Sequence, residues 1–272
     1  KAQYAKGKMF GKIISFFQSR LIFNNLINVG KIITAPFRPK KKKIEGLLNI
    51  VYFKGCVNQI CPRTDRYLNK IFKNSINIIE PNFECCGLPF LSEGNLKRFE
   101  ECAETNIKLL PKDYDYLATD CASCESTLLD YKNYTQSPID DLKTVNWGDI
   151  IAKQNIKFKF NKHVKVTFHK PCHLKSDKFF ESIIQNCENV EYVKMDNYDD
   201  CCGFAGSFSL KNSKLSVQIS KQKAQNINKT NADYVITTCP ACIAGLKQGL
   251  FFTGGRAKVV SLLEFLAKAD EQ

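Results

Sequence analysis

The sequence predicts an α/β fold of two similar halves, each a small parallel sheet flanked by helices, preceded by a basic amphipathic N-terminal helical arm. Three observations carry this expectation: short β-rich runs alternate with helical stretches, a five-cysteine pattern occurs twice, and the excess positive charge is confined to the first residues. Strands alternating with helices imply a parallel sheet covered on both faces, because each connecting helix packs back onto the sheet it leaves.

Taken from the amino terminus, Met9 to Ile33 carries apolar pairs (Met9/Phe10, Ile13/Ile14, Phe16/Phe17, Leu26/Ile27, Ile32/Ile33) three to four residues apart for most of its length. That is the spacing of a helix with a polar opposite face. Pro36 and Pro39 end it, and Lys40 to Lys43 form an unbroken basic run. Residues 1–44 hold eleven Lys or Arg and no acid, which accounts for most of the net charge of +13 and leaves the remainder near neutral. The arm reads as a helix packed on the body and followed by a solvated linker, or as a docking arm for a partner or an anionic membrane surface. A nucleic-acid footprint would mark a face of the folded domain, so no nucleic-acid partner is expected. No apolar run approaches the ~20 residues of a membrane span. Lys12 and Arg20 interrupt the only stretch that could resemble a secretory signal. The expected location is therefore the cytoplasm, with residues 1–43 as a contact to the inner face of the membrane. Lys1 is not a start methionine, and the expectation is a piece of a longer chain.

Beyond Glu45 the first series has strands at Asn49 to Lys54, Ile76 to Glu80 and Tyr116 to Thr119, with helices across Thr64 to Lys73 and Leu96 to Leu110. A polar segment, Tyr131 to Lys162, contains one helix near Ile139 to Ile151. The second series has strands at Val164 to Phe168, Val190 to Met195 and Tyr234 to Thr238, and helices near Lys175 to Ile184 and Leu215 to Ile227. The expected units are an arm and linker over 1–46, a first domain over 47–155 and a second over 156–272.

The cysteines give the strongest signal. Cys56 is followed after 28 residues by Cys85-Cys86-Gly87, and after 34 more by Cys121-Ala122-Ser123-Cys124. Cys172 is followed after 28 residues by Cys201-Cys202-Gly203, and after 36 more by Cys239-Pro240-Ala241-Cys242. This is an internal duplication that absorbs ten of the thirteen cysteines. Each group falls just past an expected strand, and in open parallel sheets those carboxyl ends converge on the ligand crevice. Helix N-termini aimed at the same point would favour thiolates.

Disulfides, zinc and iron-sulfur clusters compete for such a set. The odd cysteine count and the expected reducing compartment weigh against disulfides. Four ligands saturate a tetrahedral zinc ion, so five cysteines per half, two of them adjacent, suit a multi-iron cluster better. A turn eased by Gly87 or Gly203 could aim both adjacent thiols at one cluster. His169 and His173 flank Cys172; they read as neighbours that hydrogen-bond a thiolate or sulfide, with direct ligation or a purely structural role as alternatives. Cys61, five residues from Cys56, is a substitute ligand by position, whereas Cys102 and Cys187 fall in helical stretches and read as small core residues.

These residues resemble the cysteine-rich CCG-domain proteins, among them the cysteine-rich subunit of heterodisulfide reductase, the glycolate oxidase iron-sulfur subunit and the lactate-utilisation iron-sulfur proteins. The resemblance spans residues 48 to about 268 and rests on the complete motif in both halves. The run Cys201-Cys202-Gly203-Phe204-Ala205-Gly206-Ser207-Phe208, together with His169 to Cys172 and His173, is especially similar to the lactate and glycolate members. Lys170 departs from them, standing where they often carry an acid. The resemblance implies a non-cubane [4Fe-4S] cluster in each half, held by Cys56, Cys85, Cys86, Cys121 and Cys124 and by Cys172, Cys201, Cys202, Cys239 and Cys242.

No dinucleotide fingerprint or phosphate loop occurs in the chain. A partner would then bring flavin and substrate. The resemblance implies an iron-sulfur electron-transfer subunit of a complex oxidising a 2-hydroxy acid such as lactate or glycolate and passing electrons toward quinone or another carrier, with a flavin-containing dehydrogenase subunit or a ferredoxin-type domain as partner. The alternatives are thiol/disulfide chemistry at a cluster, as in heterodisulfide reductase, and a zinc-stapled binding module.

Overall fold

The computed structural model describes residues 45–60, 63–135, 143–204 and 208–269. Among them, eight strands form two four-stranded sheets. The first comprises β1 (Asn49–Tyr52), β2 (Asn77–Ile79), β3 (Tyr116–Thr119) and β4 (Thr144–Asn146), in the order β2-β1-β3-β4. The second repeats that order with β5 (Phe158–Phe168), β6 (Cys187–Tyr192), β7 (Tyr234–Thr237) and β8 (Lys258–Ser261), as β6-β5-β7-β8. Every neighbouring pair is parallel. In each sheet the chain starts at an inner strand, moves outward, then crosses to the other side. That reversal leaves a crevice at the carboxyl ends.

The first sheet is buried on both faces, as the side-chain period of two requires. Ile50, Tyr52 and Ala118 face one apolar core, while Val51, Phe53 and Leu117 face a second formed with Phe83, Phe99 and Tyr131. The first of these cores continues into the other half, where Val166, Phe168, Val235 and Leu263 join it. Two helix pairs close this shared interior. Helix α6 (Trp147–Lys153) follows β4 and packs on α7 (Lys178–Gln185) of the second half, and α11 (Leu262–Leu266) follows β8 and packs on α2 (Arg63–Phe72) of the first. Both α6 and α11 start on a polar cap at the strand's end. Asn146 accepts the Gly148 N–H at 3.1 Å, and Ser261 accepts the Glu264 N–H at 3.0 Å. Trp147 is fully buried, its ring 5.5 Å from those of Tyr52 and Phe72.

The first-half strands and the long helices lie where the sequence placed them within a residue or two; α4 (Leu96–Lys108) and α9 (Ser213–Lys229) are examples. Four expectations are corrected. The helix near Ile139 to Ile151 is, over its described part, strand β4 followed by the short α6. Strand β5 begins at Phe158, inside the segment expected to be a connection, because buried Phe158 and Phe160 alternate with exposed Lys159. Strand β6 starts at Cys187, three residues before the expected strand, so Cys187 opens a strand and is not helical; its thiol donates to the Ile183 carbonyl at 3.2 Å. Strand β8 is an addition to the expected set. The expected helix over Met9 to Ile33 and Cys61 lie outside the described residues. Among the described residues, no helix is long and apolar enough to cross a membrane.

Candidate metal centre

Every cysteine of the repeat lies at the carboxyl edge of its sheet. Cys56 sits in α1 (Gly55–Ile60), directly after β1. Cys121 and Cys239 occupy the N-cap positions of α5 (Ala122–Asp130) and α10 (Pro240–Thr253), with extended backbone (φ −125° and −146°) and no side-chain cap bond. Their thiols thus stand at the positive ends of helices. Cys124 and Cys242 follow three residues later, on the same side of the first turn. Cys85-Cys86 and Cys201-Cys202 each precede a glycine in the left-handed region, Gly87 at φ +91° and Gly203 at φ +77°. There an L side chain would be strained, and a Cβ on Gly203 would come within 2.9 Å of the Ser216 carbonyl. The turn also aims backbone N–H groups at sulfur, as Gly203 does to Cys201 Sγ at 3.3 Å.

The ten sulfurs form one unbroken succession of neighbours that interact electrostatically. It runs Cys56, Cys85, Cys86, Cys124, Cys121, then across to Cys239, Cys242, Cys202, Cys201 and Cys172. Cys202 and Cys242 are 3.4 Å apart. The halves also meet through the backbone where the chain of thiols crosses, Ala122 N–H donating to the Thr238 carbonyl at 2.8 Å. Cys85, Cys86, Cys124, Cys202, Cys239 and Cys242 are buried, whereas Cys172 and Cys201 are exposed.

Crowding splits the acidities. Thiols donated by Cys124 and Cys85 hold Cys86 well below the ordinary thiol value, those of Cys172 and Cys202 hold Cys201 down at about 2, and those of Cys121 and Cys242 hold Cys239 down. Their neighbours are driven the other way: Cys56 by its bond to Cys85 and by burial, Cys124 by Cys121 and Cys86, and Cys242 by Cys202 and Cys239. Ten thiolates this close repel one another in a low dielectric, so full deprotonation needs bound cations. The donor set therefore fits a metal centre rich in positive charge. Gly55 fits it too, for a Cβ there would stand 2.9 Å from Cys124 Sγ.

His169 is fully buried, its polar neighbours being the Tyr198 carbonyl and the sulfurs of Cys202 and Cys242, the latter within 4.8 Å. Burial first, and the nearby Lys223 ammonium second, push its pKa down to about 3, so the ring is neutral and keeps one N–H to donate. His173 does not meet a sulfur directly. Its Nδ1 is 3.2 Å from Ser123 Oγ, which lies 3.8 Å from Cys239 Sγ. Sequence reasoning missed Ser123 and the buried Lys223; nothing in local spacing says that a serine of the first half faces a cysteine of the second. The departure Lys170 is paired with Asp177 at 3.5 Å. Cys102, 3.8 Å from Glu84 Oε2, and Cys187 lie in the apolar core, apart from the thiol array. A cavity of about 770 Å³ at the amino ends of β7 and β8, lined by Lys162, Tyr234, Arg256 and Lys258 among others, contains no cysteine.

The family model described as the cysteine-rich domain CCG matches residues 50–129 and 166–247, one copy per sheet. The chain belongs to the CCG family. Its relatives include a fumarate reductase (CoM/CoB) subunit of Methanothermobacter marburgensis, 31% identical over 230 residues, or 81% of this chain and 46% of that protein. The lactate utilization protein of Oceanobacillus iheyensis is 25% identical over 67% of this chain and 80% of its own length. A subunit of the dihydromethanophenazine:CoB–CoM heterodisulfide reductase of Methanosarcina barkeri is 26% identical over 85% of this chain and 61% of its own. The chain thus spans less than half of the fumarate reductase relative. A hypothetical protein from Helicobacter pylori shares the fold, with TM-score 0.60 and 10% identity over 90% of this chain and 54% of that one. Membership in this CCG family of iron-sulfur proteins implies iron-sulfur clusters, which the clustered thiols suit.

Proposed function

We propose that this chain is an electron-transfer subunit of an oxidoreductase complex and that each half, 47–155 and 156–272, holds one cluster. The observation that carries the proposal is the unbroken succession of ten sulfurs across the two halves. Cys56, Cys85, Cys86, Cys121 and Cys124 are the ligands of the first cluster, and Cys172, Cys201, Cys202, Cys239 and Cys242 those of the second, both of the non-cubane [4Fe-4S] type that the resemblance implies. Such clusters accept and release single electrons. The chain's own residues deliver sulfurs from three segments, exclude water around the buried ones, and leave Cys172 and Cys201 at the surface for exchange with a partner. Likeness to the lactate utilization protein supports oxidation of a 2-hydroxy acid such as lactate or glycolate, with a flavin-containing subunit or ferredoxin-type domain as partner. Residues 1–43 are a candidate contact to that partner or to the inner membrane surface.

A second reading, thiol/disulfide chemistry at the centre, is favoured by the names of the two methanogen relatives. Protein purified without oxygen should contain iron and acid-labile sulfide in similar amounts; a colourless protein carrying zinc would remove the proposal and leave the zinc module. Adding thiols to the oxidised protein separates the two redox readings: an unchanged electron paramagnetic resonance spectrum supports electron transfer alone.

A further inference from the structure

The two halves repeat their ligands and their backbone donors but not their side-chain donors. Gly87 and Leu88 N–H groups serve Cys85 and Cys86, as those of Gly203 and Phe204 serve Cys201 and Cys202. Alignment on Cys56 and Cys172 sets Phe53 opposite His169 and Val57 opposite His173, and alignment on Cys121 and Cys239 sets Ser123 opposite Ala241. Thus the first site meets a buried Phe and an exposed Val where the second meets two imidazoles. Ser123 is contributed by the first half yet approaches Cys239 of the second, and the buried Lys223 ammonium lies near Cys202 and Cys242.

The proton count at Ser123 is restrictive. A hydroxyl has one proton, and a sulfur bound to metal can only accept. Ser123 then donates to Cys239 Sγ, and His173 must donate its Nδ1–H to Ser123 Oγ. His169 sets a second imidazole beside Cys202 and Cys242, with the Tyr198 carbonyl as its other polar neighbour. Reduction adds negative charge to iron and sulfur, so a donor stabilises the reduced form more than the oxidised one and raises the potential. Exposure of Cys172 and Cys201 acts in the same direction by bringing water near the charge.

We propose that Ser123, supported by His173, and His169 are positioning residues that make the second half's cluster the easier of the two to reduce. The inference rests on the cluster assignment above. Potentiometric titration of the anaerobically purified chain, followed by electron paramagnetic resonance, should resolve two waves. Cys172→Ser should abolish the higher one. Ser123→Ala removes one hydrogen bond, worth roughly a fivefold change in the equilibrium between oxidised and reduced forms. At 59 mV per tenfold for one electron, the higher wave should fall by about 40 mV while the lower stays in place. Ser123→Thr should restore it. His169→Phe, which gives the second half the first half's residue, should also lower it, and reads the same wave should Ser123→Ala lose iron. Loss of the lower wave in Cys172→Ser, or an unmoved higher wave in Ser123→Ala and His169→Phe proteins that retain iron and sulfide, would overturn the inference. Absence of iron and sulfide from the unmodified chain would instead defeat the cluster assignment itself.

Discussion

Gly55 stands between the end of β1 and the first cysteine, at φ +64°, with Cys124 Sγ where a Cβ would need to go. Gly55→Ala should cost roughly 1–2 kcal/mol for the left-handed backbone alone and should displace Cys124, so iron per chain should fall to that of the second site only. Retention of full iron content would show that the close approach is not needed. Cys187 tests the opposite kind of cysteine. Burial pushes its thiol up to about 12. A pKa raised on folding gives a contribution that is intact below the unfolded thiol value and is lost as pH rises through the folded one. Cys187→Ala should therefore flatten the decline of stability between about pH 8.5 and 12, measured by urea unfolding across that range; an unchanged slope would put another group in charge of it. The ten clustered cysteines were legible in the sequence because their intervals repeat, and interval is a property of the chain. Ser123 was not, because its partner lies in the other half and facing is a property of the fold.

At the scale of elements, the helices differ in how closely they approach one another. A Cβ on Gly249 of α10 would come 2.1 Å from the Ser220 carbonyl of α9, and one on Gly148 of α6 would come 2.4 Å from the Phe179 ring of α7. Gly249→Ala and Gly148→Ala should each destabilise by about 1–3 kcal/mol through overpacking, despite the better helix propensity of alanine. Thermal melts that rise in either variant would contradict this geometry. Long helices were readable from their 3.6-residue periodicity. Strands β4 and β8 were not, since three or four residues such as Thr144-Val145-Asn146 carry too little pattern to stand out from a loop. The start of β5 was missed although Phe158-Lys159-Phe160 alternates, because Asn161 to His163, where the register with β6 shifts, reads as polar linker.

For the molecule as a whole, the shared core sets the cooperativity. Trp147 is the only tryptophan in the chain and lies in the interior common to both halves. Its fluorescence and the far-ultraviolet circular dichroism should therefore report one coincident unfolding transition. Two separated transitions would mean that the halves unfold independently. Trp147→Ala should cost about 3–5 kcal/mol. The two-half architecture was visible in the cysteine spacing, whereas the merging of the halves around one interior was not, because it depends on which faces α6 and α11 find.

The contacts between the halves have a property beyond their number. Cys121 and Cys239 hold equivalent places in the two repeats and neighbour each other; α6 touches the counterpart of α2, and α11, the counterpart of α6, touches α2 itself. Contacts that survive exchange of the partners define a pseudo-twofold axis, and here it passes between those two sulfurs. A polypeptide carrying a single repeat could build the same surface only as a homodimer, with one thiol from each copy on the rotation axis. Fusing the two copies into one chain frees them to diverge, and the sites on either side of that axis no longer need to be alike.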